Sequence, residues 1–240
     1  MSAPHFFVPS LAPGVVRLSA IDSRHALRSL RMAPGEELTL ADGRGAVARG
    51  HLVGEEGGLA VVQVVAVSAR ARPRPPVAVA LAPPKGERLT WAVQKLAELG
   101  VEEVLLVRAR RSVREFPPER AGRLLERLRT VAREAAMQSR QAFVTEVREG
   151  GELDAALLAG QDLVVLLWEE TSTPLREVLP PEPSGVRLVV GPEGGFGAGE
   201  VERAVAAGAV PASLGSAVLR TETAAVVGAA LVLARYGRLG

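Results

Sequence analysis

The spacing of apolar residues changes character near residue 77. Over residues 4–69, apolar positions come in short runs that alternate with polar ones, the two-residue period of half-buried strands. Strands are predicted at Phe6-Phe7-Val8 and over 14–18, 37–41, 46–51 and 59–68, with turns at Asp42-Gly43-Arg44-Gly45 and 55–58. One helix is predicted over 25–31, capped by Asp22-Ser23. So many short strands predict a small barrel or sandwich. Residues 70–76, Arg-Ala-Arg-Pro-Arg-Pro-Pro, read as a stiff linker. The expected domains are therefore 1–72 and 73–240.

Beyond the linker, strands become continuous apolar runs and alternate with helical periods. Strands are predicted over 77–81, 104–107, 143–147, 163–168 and 186–190, with a short one before Leu214. Helices are predicted over 87–99, 117–140, 153–158, 175–179, 200–207 and 223–236. In the longest, Leu124, Leu125, Leu128, Val131, Ala132, Ala135 and Ala136 form the buried stripe. Alternating elements with fully apolar strands predict an α/β fold whose mostly parallel sheet is covered on both faces.

Composition narrows the function classes. With 48% apolar and 23% charged residues the chain can bury a core. No apolar run is long enough for a membrane span, and the first residues lack a secretion signal, which predicts a cytoplasmic protein. The absence of Cys excludes thiolate chemistry, and the scattered His5, His25 and His51 give no metal-ligand spacing, so no metal is expected. Arg outnumbers Lys 27 to 2 and Asn is absent, which fits a heat-adapted source or a GC-rich genome and says nothing of function. Charge is unevenly placed. Residues 1–76 hold nine Arg against six acids and 108–148 eleven against five, whereas 149–240 hold six against twelve. A basic front of this kind suits a polyanion such as nucleic acid, or serves only as a solvated face. Arg24, Arg28 and Arg31 recur at helical spacing and so share one predicted helix face.

Three strands end in loops with candidate chemistry: Trp168-Glu169-Glu170, the stretch Gly191-Pro192-Glu193-Gly194-Gly195-Phe196-Gly197, and residues 214–223. The first is acidic and suits sugar hydroxyls or a cationic centre. The second is glycine-rich and admits close backbone approach. Neither a Walker-type phosphate loop nor a Gly-x-Gly-x-x-Gly turn after the first strand is present. A nucleoside-bearing ligand without phosphates, such as S-adenosylmethionine, fits best.

The residues Gly191-Pro192-Glu193-Gly194-Gly195-Phe196, with Leu214-Gly215, Val218-Leu219-Arg220 and Thr221-Glu222-Thr223-Ala224, resemble the paired motifs of the RsmE family. Lys85-Gly86, Lys95-Leu96-Ala97-Glu98-Leu99-Gly100-Val101, Arg111-Ser112, Glu134-Ala135-Ala136-Met137-Gln138-Ser139-Arg140 and Leu27-Arg28-Ser29-Leu30-Arg31 extend the likeness over nearly the whole chain. Met137, where the family usually has an acid, and the Gly215-Ser216-Ala217 turn depart from the pattern. The family comprises SPOUT-superfamily methyltransferases acting on N3 of a uridine in 16S ribosomal RNA. The resemblance implies a PUA-like N-terminal β-barrel, a SPOUT-type parallel sheet with a trefoil knot and cofactor site over about 164–230, and a homodimer. It also implies S-adenosyl-L-methionine as cofactor and 16S rRNA or the small ribosomal subunit as partner.

On that reading Leu167, Trp168, Val190, Gly191, Glu193, Gly194, Gly195, Leu214, Gly215, Val218, Leu219, Arg220, Thr223 and Ala224 surround the cofactor. Arg220 stabilises the uracil anion or makes a structural pair with Glu222 or the last helix. Glu193 orients the target or caps the following helix, and Glu222 is a candidate proton acceptor. Arg24, Arg28, Arg31, Arg111, Arg133 and Arg140 are candidates for RNA phosphates. Two other readings remain open: a SPOUT enzyme with a different RNA target, and an RNA-binding adaptor without catalysis.

Overall fold

The computed structural model describes residues 3–109, 111, 118–153 and 163–239. By internal contacts the chain divides into two units, Met1–Arg72 with Ala136–Val144, and Pro73–Ala135 with Thr145–Gly240.

The first unit holds a five-stranded sheet in the order β1-β3-β4-β5-β2, formed by β1 (His5–Phe7), β2 (Gly14–Arg17), β3 (Glu37–Ala41), β4 (Ala46–Glu56) and β5 (Leu59–Ala69). Only β1 and β3 pair in parallel; the other pairs are antiparallel. Phe6, Leu18, Leu38, Leu40, Leu52 and Val62 are among the residues closing its core. The helix starts earlier than predicted. Helix α1 (Ala20–Arg24) is capped by Ser19, whose hydroxyl accepts the Asp22 N–H at 3.1 Å. Ser23 is instead fully buried, where its hydroxyl accepts the Ala60 N–H at 2.9 Å and ties the helix to β5. Residues His25–Ser29 then widen into a π-helical turn, and Arg31 lies beyond it in the left-handed region at φ 54°. Arg24, Arg28 and Arg31 thus do not share the face of one regular α-helix.

Ala136–Val144 packs with this first unit. Val144 donates its N–H to the Gly43 carbonyl and Phe143 bridges to Arg44. Met137 packs beside Phe7 and Ala41, where an acidic side chain would be desolvated. The strand predicted over 143–147 accordingly starts later.

The second unit holds a six-stranded, all-parallel sheet in the order β11-β9-β10-β6-β7-β8. Its strands are β6 (Val77–Leu81), β7 (Glu103–Arg108), β8 (Glu146–Glu152), β9 (Leu163–Leu167), β10 (Val186–Val190) and β11 (Val210–Ala212). Helices α2 (Arg88–Leu99), α3 (Pro118–Gln138), α4 (Leu175–Val178), α5 (Ala198–Ala206) and α6 (Thr221–Arg235) connect and cover them. The rest of the helix predicted over 153–158, past Leu153, lies outside the described residues.

Alternation along each strand feeds two cores. Val79, Leu81, Val165, Leu167, Leu188 and Val190 face α2, α3 and α6; Ala80, Val164, Leu166 and Val189 face Phe196, Val201 and Ala204. Burial on both faces is why these strands read as unbroken apolar runs. Gly228 on α6 lets that helix lie against the sheet: a Cβ there would stand 2.8 Å from Leu167 Cδ1 and 3.3 Å from Leu188 Cδ1.

Gly228→Ala offers a test of this close approach. Alanine improves helix propensity by about 1 kcal/mol, but overpacking against Leu167 opposes it by about 1–3 kcal/mol. We expect a lower unfolding midpoint in thermal or urea denaturation; a gain in stability would show that α6 is free to shift.

Candidate active site

The C-terminal ends of β11, β9 and β10 stand at one level, because Ala212 and Val190 are each in register with Leu167. The loops leaving those residues therefore converge at one edge of the sheet, where ligands of open α/β folds sit. They enclose a cleft of about 240 Å³. Leu167, Trp168 and Glu169 come from the end of β9. Val190, Gly191, Pro192, Glu193, Gly195 and Phe196 come from β10 and its loop. Ser213 to Gly215 and Ala217 to Arg220 come from the loop after β11, and Thr221 and Ala224 from the first turn of α6.

The glycine-rich loop is shaped by local contacts. Gly195, at φ 68°, donates its N–H to the Pro192 carbonyl at 2.9 Å and closes a turn that a side chain would strain. The Phe196 ring folds back over Gly191, where a Cβ would meet ring atoms at 3.0 Å. The Thr221 hydroxyl donates to the Gly191 carbonyl at 3.0 Å, joining the second loop to the third. The cap of α5 is made by Glu200, whose carboxylate accepts the Gly197 N–H at 2.8 Å. Glu193 is therefore not the cap. Its carboxylate lines the cleft and accepts the Lys85 N–H at 3.3 Å.

Arg220 also lines the cleft and stands at the N-cap of α6. A cation is disfavoured there by the helix dipole, so this position does not serve helix stability. The carboxylate facing a cation near α6 is Glu222, and its partner is Arg88, with Nε at 3.6 Å from Oε1. Arg88 also stands 4.0 Å from Glu193. Glu222 is 7% exposed, is absent from the cleft lining, and its Oε2 has no hydrogen-bond partner among the described residues. Of the alternatives for Arg220, the structural pair with Glu222 does not form among the described residues; Glu222 pairs with Arg88 instead.

A model of the RNA methyltransferase domain matches residues 71–233, and one of the RNA methyltransferase PUA domain matches 22–65. Ribosomal RNA small subunit methyltransferase E of Mycobacterium bovis is 35% identical over 240 residues, covering 95% of this chain and 90% of its own length. The chain belongs to the ribosomal RNA small subunit methyltransferase E family. A Bacillus subtilis protein of the same name is 35% identical over 150 residues, 59% of each chain. Among solved structures, a Legionella pneumophila putative methyltransferase with bound S-adenosylmethionine superimposes with TM-score 0.88 at 29% identity and 98% coverage of both chains. The Neisseria gonorrhoeae ribosomal RNA small subunit methyltransferase E, also bound to S-adenosylmethionine, gives 0.85 at 27% identity and the same coverage.

In this member of the family the structure gathers twelve of the fourteen expected cofactor residues around one cleft; Gly194 and Thr223 do not line it. Gly194 turns instead toward Arg111, whose Nη1 donates to the Gly194 carbonyl at 2.9 Å. Arg111, an expected phosphate ligand, thus braces the glycine-rich loop. Glu169, Pro192, Phe196, Ala217 and Thr221 also line the cleft; they lie in the three loops singled out in the sequence but outside the expected cofactor set, and Ser213 lies just before the third loop. Most of these adjoin a predicted residue, and only the fold of the turn brings Phe196 over Gly191. Arg24, Arg28, Arg31 and Arg140 are exposed, whereas Arg133 is half-buried on α3. Among the described residues no His, Cys, Asp or Glu group is arranged to hold a metal ion. Among the same residues no helix is long and apolar enough to cross a membrane.

The Arg88–Glu222 pair predicts a coupled loss. Arg88→Ala leaves the buried carboxylate without its cation and should lower stability by about 1–3 kcal/mol. Arg88→Ala combined with Glu222→Gln should recover most of that loss in a denaturation cycle; strictly additive effects would mean the two groups do not interact.

Proposed function

We propose that this chain methylates N3 of a specific uridine in 16S ribosomal RNA, drawing the methyl group from S-adenosyl-L-methionine, and acts in the cytoplasm. The observation that carries this reading is the convergence of three in-register strand ends on a cleft bearing Arg220 and Glu193. The cleft suits a nucleoside sulfonium. Leu167, Val190 and Leu219 give apolar walls, Gly191, Gly195 and Gly215 expose backbone groups, and Glu169 and Glu193 place negative charge at its edge. When bound there, the cofactor supplies an electrophilic methyl carbon on a sulfonium whose charge disappears on transfer.

The protein's own share begins with the nucleophile, since uridine N3 carries a proton at neutral pH. Arg220 stabilises the anion that spreads onto O2 and O4 as that proton leaves. Glu193, held by the Lys85 N–H and beside Arg88, accepts the hydrogen bond from N3–H, orients the ring and takes the N3 proton as the base before the methyl group arrives. Glu222 acts from outside the cleft, anchoring Arg88 and through it Glu193. The rest of the rate comes from holding the two reactants in line.

The same reading assigns RNA capture to the domain over 1–72, as a PUA-like barrel, and methyl transfer to 73–240. It includes a trefoil knot over about 164–230, supported by the return of β11 past β10 to lie beside β9. It also includes a homodimer, supported by the exposed apolar Trp91 on α2 and Leu231 on α6.

A methylation assay on 16S rRNA lacking the modification, with the product nucleoside identified by mass spectrometry, should return 3-methyluridine. A ribose-methylated product, or none, would refute the reading. Arg220→Ala should retain cofactor affinity in calorimetry yet lose about 10²-fold or more in transfer rate; wild-type turnover would remove its assigned role. Light scattering should give twice the chain mass, and Leu231→Glu should shift it to monomer.

A further inference from the structure

We infer that the segment bearing Arg24, Arg28 and Arg31, together with Arg140, grips the RNA sugar–phosphate backbone, with Arg28, Arg31 and Arg140 presented from uncommon backbone conformations. This rests on the RNA-methyltransferase reading and adds which side chains hold the phosphates and by what device.

Two non-glycine residues of the described chain have positive φ: Arg31 at 54° and Arg140 at 57°. Both close a helix. The Met32 N–H reaches back to the Ala26 carbonyl at 3.0 Å, and the Gln141 N–H to that of Ala136 at 2.9 Å. The residue at such a closure is usually glycine, because a Cβ crowds the carbonyl in the left-handed region. This chain has glycine in that role elsewhere, at Gly100 after α2 with φ 75°. At Arg31 and Arg140 it keeps the bulky cation instead, and backbone strain of this kind collects at functional sites.

The second observation is independent. The Leu30 N–H donates to the His25 carbonyl at 2.9 Å, the five-residue step of a π turn, and Arg28 lies within that turn. Such turns are rare, strained and enriched at functional sites. Three exposed arginines therefore sit in the eight residues from Arg24 to Arg31, which contain two uncommon backbone conformations. Other arginines of the chain engage carboxylates, as Arg108 does with Glu149 and Glu152. Arg24, Arg28 and Arg31 have no ion-pair partner among the described residues. Strand β1 touches both closures: the Phe6 ring lies 6.1 Å from the His25 ring, and His5 Nε2 is 3.2 Å from the Gln141 carbonyl. Planar, permanently charged guanidiniums on such a rigid base match phosphate oxygens.

The test sets stability against binding. With full-length protein and a 16S rRNA transcript in filter binding over a salt series, Arg31→Gly and Arg140→Gly should each raise the unfolding midpoint by about 2–4 °C. Each should also reduce RNA affinity about fivefold and lower the log–log salt slope by about 1. Arg31→Lys should keep the wild-type slope, and Arg28→Ala should lower the slope while leaving the midpoint unchanged. Glycine variants that retain wild-type affinity and slope, or that lower the midpoint, would overturn the inference. Cofactor binding measured alongside separates the two ideas. Intact cofactor affinity with unchanged salt slopes sinks only the arginine grip, absent cofactor affinity sinks the methyltransferase reading, and no RNA binding by wild type sinks both.

Discussion

Everything in the candidate site depends on the register between β9 and its two neighbours. Leu167 faces Val190 on one side and Ala212 on the other, so three chain segments leave the sheet at one height. A shift of one residue in any of them would turn its side chains to the opposite face and move its loop out of the cleft. The register is secured by the two cores, since Leu167 and Val190 must face α6 while Leu166 and Val189 must face α5. Packing far from the ligand surface thus determines whether Gly191, Leu214 and Trp168 can meet around one molecule.

A second level of control comes from contacts between the loops themselves. Thr221 holds Gly191 by its hydroxyl, Arg111 holds Gly194 by its guanidinium, and Lys85 holds Glu193 by its backbone N–H. These come from three separate parts of the chain, so the glycine-rich loop is shaped by its surroundings as well as by its own turn. Glycine supplies the freedom to bend, and the neighbours select one bend. A preorganised cleft of this sort spends little binding energy on ordering itself.

The α/β architecture was legible because its strands are buried on both faces, which turns them into apolar runs such as Leu188-Val189-Val190. The family motifs pointed to the cleft because their residues are local, each lying in or beside one turn. What the sequence hid was nonlocal or masked by polarity. Strand β8, Glu146–Glu152, is an exposed, charged and glycine-bearing edge with little apolar signal. The exchange of Arg88 for Arg220 as partner of Glu222 joins segments far apart in the chain, where spacing carries no information. The π turn at His25–Ser29 has an ordinary helical composition, and only its hydrogen bonds reveal it.

The two outer strands of the parallel sheet have a further consequence. An open sheet edge offers unpaired amide groups to any stray extended peptide, a route to aggregation. Here β11 is three residues long and has Pro211, which lacks an amide hydrogen, at its middle. At the far side β8 displays Glu146, Arg148, Glu149 and Glu152. One margin is blunted by missing donors and the other by charge, so a chain with so apolar a sheet keeps its strands to itself.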